Sequence, residues 1–150
     1  MPISRRHLLG TAAGLALLPF APRAAFAAEA ELDFEELYGK VSPLGLSFSD
    51  KVKGLAGQPV FMRGFMAPPL KAEANFFVLT EIPMSICPFC STDSDWPDNI
   101  VVVYLDSAQT FEQANALIEV SGKLEMGSWT DPETGFVSLL RITSASFAGV

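Results

Sequence analysis

Five short apolar runs with two-residue alternation, glycine and proline breaks between them, and one capped polar stretch after the third run predict a mainly β fold. Three strands, a short helix and two more strands is the order of a small five-stranded OB-like Greek-key barrel, here with a further short N-terminal helix.

The elements follow in order. Residues 1–27 are expected to be removed. Ser4-Arg5-Arg6-His7-Leu8-Leu9 sets paired arginines ahead of an apolar stretch from Leu8 to Phe20. Ala25-Phe26-Ala27 then offers small residues at both positions that a signal peptidase reads. Gly10, Gly14 and Pro19 interrupt the stretch, which falls short of the roughly 20 residues that span a bilayer. It reads as a cleaved signal and not as a membrane anchor. Ser-Arg-Arg-x-Leu-Leu resembles the twin-arginine export consensus, which implies a periplasmic protein exported already folded; an ordinary secretory signal is the alternative.

Residues 28–59 read as a lead-in. Asp33 and Glu36 have the capping-box spacing, Leu32 can staple against Leu37, and Gly39 ends a helix of little more than a turn. Residues 42–59 read mostly as loop. The barrel is expected over 60–150. Val60, Met62, Gly64 and Met66 alternate with Phe61, Arg63 and Phe65 as the first strand, stopped by Pro68-Pro69. Residues 76–80 form the second, and residues 100–105, apolar on both faces, a central third. Thr110-Phe111-Glu112-Gln113 has capping-box spacing and predicts a short helix through Asn115. The fourth strand runs from Leu117 to Met126 with a bend at Gly122, and the fifth from Phe136 to Ile142 after a turn at residues 130–135.

Charge narrows the function classes. Loss of Arg5, Arg6 and Arg23 from ten basic residues leaves seven against seventeen acidic ones, a net charge of −10. Such a chain gains nothing from phosphate backbones, so nucleic acid is not an expected partner. His7, the one histidine, leaves with the signal. That removes Ser-His and Cys-His nucleophile pairs and His-ligated metals from the processed chain.

Both cysteines stand in Cys87-Pro88-Phe89-Cys90. The segment looks like a glutaredoxin active site, but residues 91–99 hold breakers and turn formers instead of a helix. Nearby aspartates would also raise a thiol pKa. A thiol–disulfide oxidoreductase is therefore a lesser alternative. A local Cys87–Cys90 disulfide is one reading, worth about 2 kcal/mol for so short a loop. A soft-metal site is the other. Zinc needs four ligands, and without histidine the rest must come from Asp93, Asp95, another chain or water; copper(I) accepts fewer, and Met84, Cys87 and Cys90 offer three sulfurs. Met62 and Met66 share one strand face and are more simply core filler. Asp93, Asp95 and Asp98 lack the glycine and terminal glutamate of an EF-hand. Trp96 and Trp129 are candidates to line a pocket, with packing on the barrel end as the plainer reading.

From about Gly54 to Phe147 the chain resembles an uncharacterised bacterial family of exported OB-like domains. The resemblance rests on Gly64-Phe65-Met66-Ala67-Pro68, Phe76-Phe77-Val78-Leu79, the cysteine segment and Val120-Ser121-Gly122-Lys123-Leu124. It implies encoding beside ABC-type export or metal-uptake machinery, and an accessory periplasmic role. Some relatives carry a proline-rich loop with one cysteine at this position, so a two-thiolate site is not implied for the whole family. The expectation is a non-enzymatic periplasmic binding or accessory domain. Its edge would capture copper or zinc through Cys87, Cys90, Met84 and Asp93 in service of a transporter. The alternative is an interaction module with a disulfide and an apolar surface around Phe65, Met66 and Phe89.

Overall fold

Period-two burial organises the molecule. The computed structural model describes residues 28–39, 45–68, 75–84 and 96–150; the expected signal segment lies outside them. Along β2 (Pro59–Met66), Val60, Met62, Gly64 and Met66 point inward while Phe61, Arg63 and Phe65 are more exposed. β3 (Phe76–Thr80) is buried at every position, and so are the first four residues of β4 (Ile100–Leu105). This suits their apolar character on both faces. β5 (Leu117–Thr130) and β6 (Val137–Gly149) form a long hairpin.

The pairings close a ring. β2 pairs antiparallel with β3, and β3 antiparallel with β4 from Phe76↔Tyr104 to Thr80↔Ile100. β4 runs parallel to β6, and β6 antiparallel to β5. β5 returns to β2, from Pro59↔Lys123 to Phe65↔Leu117. The interior holds Val60, Met62, Phe77, Leu79, Leu124 and Ile142, all at most 1% exposed.

The sheet has six strands where the sequence predicts five. The additional one, β1 (Ala30–Glu31), lies in the lead-in and runs parallel to β2. Behind it Phe34–Glu36 form a 3-10 helix, with the Asp33 N–H donating to Glu36 Oε2 at 3.1 Å. Leu32 and Leu37 on either side are fully buried. The stretch read as loop contains α1 (Asp50–Leu55), capped by the Ser49 hydroxyl, which accepts from the Val52 N–H at 3.1 Å.

The helix expected at residues 110–115 does not form. The Gln109 amide holds this segment against β6, donating to the Phe147 carbonyl and accepting from the Phe147 N–H, both at 3.2 Å. A side chain that mimics a strand partner ties the backbone to the sheet, and Phe111 packs on the core. A single Ala116-to-Gln113 turn remains of the expected helix.

Gly122 bends β5 as expected. The β5–β6 register shifts there, between Ser121 and Lys123. A Cβ at Gly122 would lie 2.6 Å from Ile142 Cγ2 and 2.8 Å from the Thr143 carbonyl. A second shift falls between Met126 and Trp129, at Gly127 with φ 107°. This one re-aims Trp129.

Candidate functional site

The predicted metal residues are only partly within the described structure. Cys87, Cys90 and Asp93 lie outside the described residues, as does Phe89. Met84, half-buried, is within them. Met62 and Met66 are 0% and 1% exposed, in the core. They are therefore not available as thioether ligands, and Met66 cannot contribute to an exposed apolar surface. Phe65 is half-buried. Among the described residues no group of three or more Cys, His, Asp or Glu side chains is placed to hold a metal ion.

The two ends of the β3–β4 connection are firmly anchored. Thr80 donates its hydroxyl to the carbonyls of Phe65 (3.1 Å) and Ile82 (2.7 Å), and the Glu81 N–H reaches the Asn99 carbonyl. On the return, buried Trp96 donates its indole N–H to the Tyr38 hydroxyl at 2.6 Å. Trp96 is thus a packing residue. Beside these anchors lies a groove of about 240 Å³ bordered by Phe34, Glu35, Tyr38, Glu81 and Asp98.

Trp129 has the other fate. It is 39% exposed, at the opposite end of the β3–β4 pair, where Phe76 faces Tyr104. Here a cleft of about 220 Å³ is lined by Phe76, Tyr104, Trp129 and residues 131–134, with Asn75 also bordering it. The aromatic rings run in contact: Phe136 to Phe76 at 5.5 Å, Phe76 to Tyr104 at 5.1 Å, and Tyr104 to Trp129 edge-on at 5.2 Å. Such contacts fix ring orientation beyond simple burial.

Two charged groups hold the cleft in shape. Asp131 Oδ1 accepts from the Glu133 N–H (3.0 Å), the Thr134 N–H (2.8 Å) and the Thr134 hydroxyl (2.9 Å). Burial pushes the Asp131 pKa up, but these donors outweigh it, and the carboxyl titrates below its usual 3.8. Arg141, 7% exposed, donates from Nη1 to the Gly127 carbonyl at 2.8 Å and the Ser138 carbonyl at 3.1 Å. Its guanidinium lies 5.4 Å from the Trp129 ring centroid, a cation–π contact. Burial lowers the Arg141 pKa and the nearby Glu125 opposes that shift. The Tyr104 hydroxyl is buried near the Asp131 carboxylate, short of good hydrogen-bond geometry. Burial first, and the Asp131 carboxylate second, raise its pKa well above that of an ordinary phenol.

Of these residues the sequence singles out Trp129 alone as a pocket candidate. Residues 130–135 read correctly as a turn, which puts Asp131 in a loop without revealing its neighbours. Phe76 and Tyr104 read as ordinary strand residues, and Arg141 as one more strand position. Their convergence depends on strand pairings such as Phe76↔Tyr104 and Val102↔Arg141, between segments well separated in the chain. No local pattern encodes that.

No protein-family model matches the chain, and no curated protein is significantly similar to it in sequence. A solved structure is similar to it in fold: a DUF3299 family protein from Pseudomonas aeruginosa PAO1, with a TM-score of 0.50 and 14% identity. The likeness covers 83% of this chain and 97% of that one. At such identity it speaks to architecture alone, and the architecture it supports is a mainly β protein built on a mixed six-stranded sheet.

Proposed function

We propose that this chain is an exported, non-enzymatic binding domain built on an OB-type barrel, with the aromatic cleft as its ligand site. The observation that carries the reading is the position of the cleft. OB barrels bind on the face of their second and third strands, flanked by the first–second and fourth–fifth loops. Within the closed ring, β3 and β4 hold the second and third places, and residues 131–134 belong to the fourth–fifth connection. The strand order and the parallel β4–β6 pair support the OB assignment. Binding is favoured over catalysis by the state of two of the cleft's titratable groups. Asp131 is held ionised by its turn and Tyr104 is held neutral, so neither is poised to exchange protons near neutral pH.

A fragment screen by amide and indole NMR on the labelled protein tests this. Hits are expected to gather on Phe76, Tyr104, Trp129 and Thr134. Hits confined to other surfaces would overturn it.

Export rests on the twin-arginine-like segment, and service to an ABC-type transporter rests on the sequence resemblance. A second reading, soft-metal capture by Cys87 and Cys90 with Met84, is compatible with the first. Thr80 and Trp96, the described residues flanking the cysteine segment, are held at the other end of the β3–β4 pair from the cleft. Metal content and free-thiol count on one periplasmic preparation decide it. Near-stoichiometric copper or zinc, thiols released by chelator, and loss of both in Cys87→Ser are expected. No metal and no free thiol would leave a structural disulfide instead.

A further inference from the structure

The charge around the cleft restricts what can enter it. An anionic ligand would meet Asp131 and Glu133 on a chain of net charge −7, with Arg141 already committed to backbone carbonyls. A cationic ligand would find aromatic rings, but Arg141 already lies against Trp129 and would repel a second cation there. Asp131 Oδ1 accepts three donors from its own turn, so that oxygen is already committed.

What remains is a neutral ligand with one apolar face and several hydroxyl groups. Trp129 offers the apolar surface, with Tyr104 edge-on beside it, while Asn75 and Glu133 offer polar groups at the same opening. At about 220 Å³ the cleft is smaller than the roughly 300–1,000 Å³ of pockets that enclose a drug-sized molecule. It has room for one ring, and its open side leaves space for a chain to continue. We propose that the cleft binds one sugar ring of a neutral glycan, stacked on Trp129 and hydrogen-bonded through Asn75 and Glu133. This assignment rests on the binding reading above and names its ligand class.

The test titrates the labelled full-length protein with neutral tetramers of β-1,4-glucose, α-1,4-glucose and β-1,4-N-acetylglucosamine. Choline and inorganic phosphate serve as charged probes. The Trp129 indole resonance reports on the cleft; Trp96 is buried and bonded to Tyr38, so its resonance should stay still. At least one tetramer is expected to shift Trp129 and Thr134 with a Kd of about 1 mM or tighter. That affinity should not change between about 50 and 500 mM salt, because no ion pair forms. Trp129→Ala should weaken binding about tenfold or more. Trp129→Phe, which keeps an aromatic surface, should retain most of it and guards against a folding artefact.

If choline or phosphate shifts Trp129 and the tetramers do not, the glycan assignment falls and the cleft remains a ligand site. Fragment hits in the cleft without any response to tetramers would likewise overturn the glycan assignment and leave the ligand site standing. If neither fragments nor any of these probes move Trp129, the glycan assignment and the binding reading fall together.

Discussion

Gly122 shows what a single missing methyl can do in a small ring of strands. An added Cβ would lie inside van der Waals contact with the Ile142 side chain, the Thr143 carbonyl and, at 3.1 Å, Ala145 Cα. Two of these three neighbours are backbone, which cannot rotate away. Gly122→Ala is therefore expected to destabilise the protein by about 1–3 kcal/mol, read from the urea midpoint. Gly54 is the opposite case. A Cβ there meets nothing within 4 Å, inside a helix, so Gly54→Ala should be neutral or stabilising by up to about 1 kcal/mol. Asp131 couples the residue scale to pH. Its folded pKa lies below the ordinary 3.8, so the folded state favours the ionised form. The stability it contributes is present above that ordinary value and is lost as pH falls through the lower, folded one. Asp131→Asn should flatten this part of the acid-unfolding curve, and a curve identical to the parent's would contradict the linkage.

At the scale of elements, the lead-in behaves as part of the barrel. β1 adds to β2, the 3-10 helix follows, and Leu32 and Leu37 reach full burial beside the core residues of β2. Leu37→Ala is expected to cost about 2–5 kcal/mol, as for any fully buried leucine. If the lead-in were a detachable tail, the change would leave the denaturation midpoint unmoved. The β5–β6 hairpin is organised by its two irregularities. One, at Gly122, lets the strands coil; the other, at Gly127, turns its carbonyl to Arg141, which in turn lies against Trp129. A bulge two residues before Trp129 thereby sets the posture of the tryptophan that lines the cleft.

The whole molecule is a closed ring whose opposite ends carry different chemistry. At one end Thr80 and Trp96 anchor the connection that bears the cysteines; at the other an aromatic cleft opens between β3, β4 and the β5–β6 turn. The net charge of −7 acts over the entire surface. It predicts no retention on duplex DNA even at about 50 mM salt, where counterion release is strongest. Retention that fades with added salt would contradict the reading of an acidic, phosphate-repelling surface.

Strand positions were legible because burial on one side of a sheet imprints a period of two, and Val60 to Met66 carries it plainly. The central place of β4 was legible for a related reason: a strand covered on both faces has no polar side. Gly122 and the turn at residues 130–135 could be read because glycine and turn-forming side chains answer to local backbone geometry. The capping-box spacing at Thr110 misled because propensity is a weak force, and the Gln109 pairing with Phe147, 38 residues away, outweighs it. β1 escaped notice because two residues are too few to display a period. The cleft was beyond sequence reasoning for the same physical reason. Phe76, Tyr104, Trp129 and Arg141 meet only when the ring closes, and contacts between distant segments leave no periodic trace in the chain. The sequence determined the strands and the charge; tertiary structure alone decided which side chains would share a site.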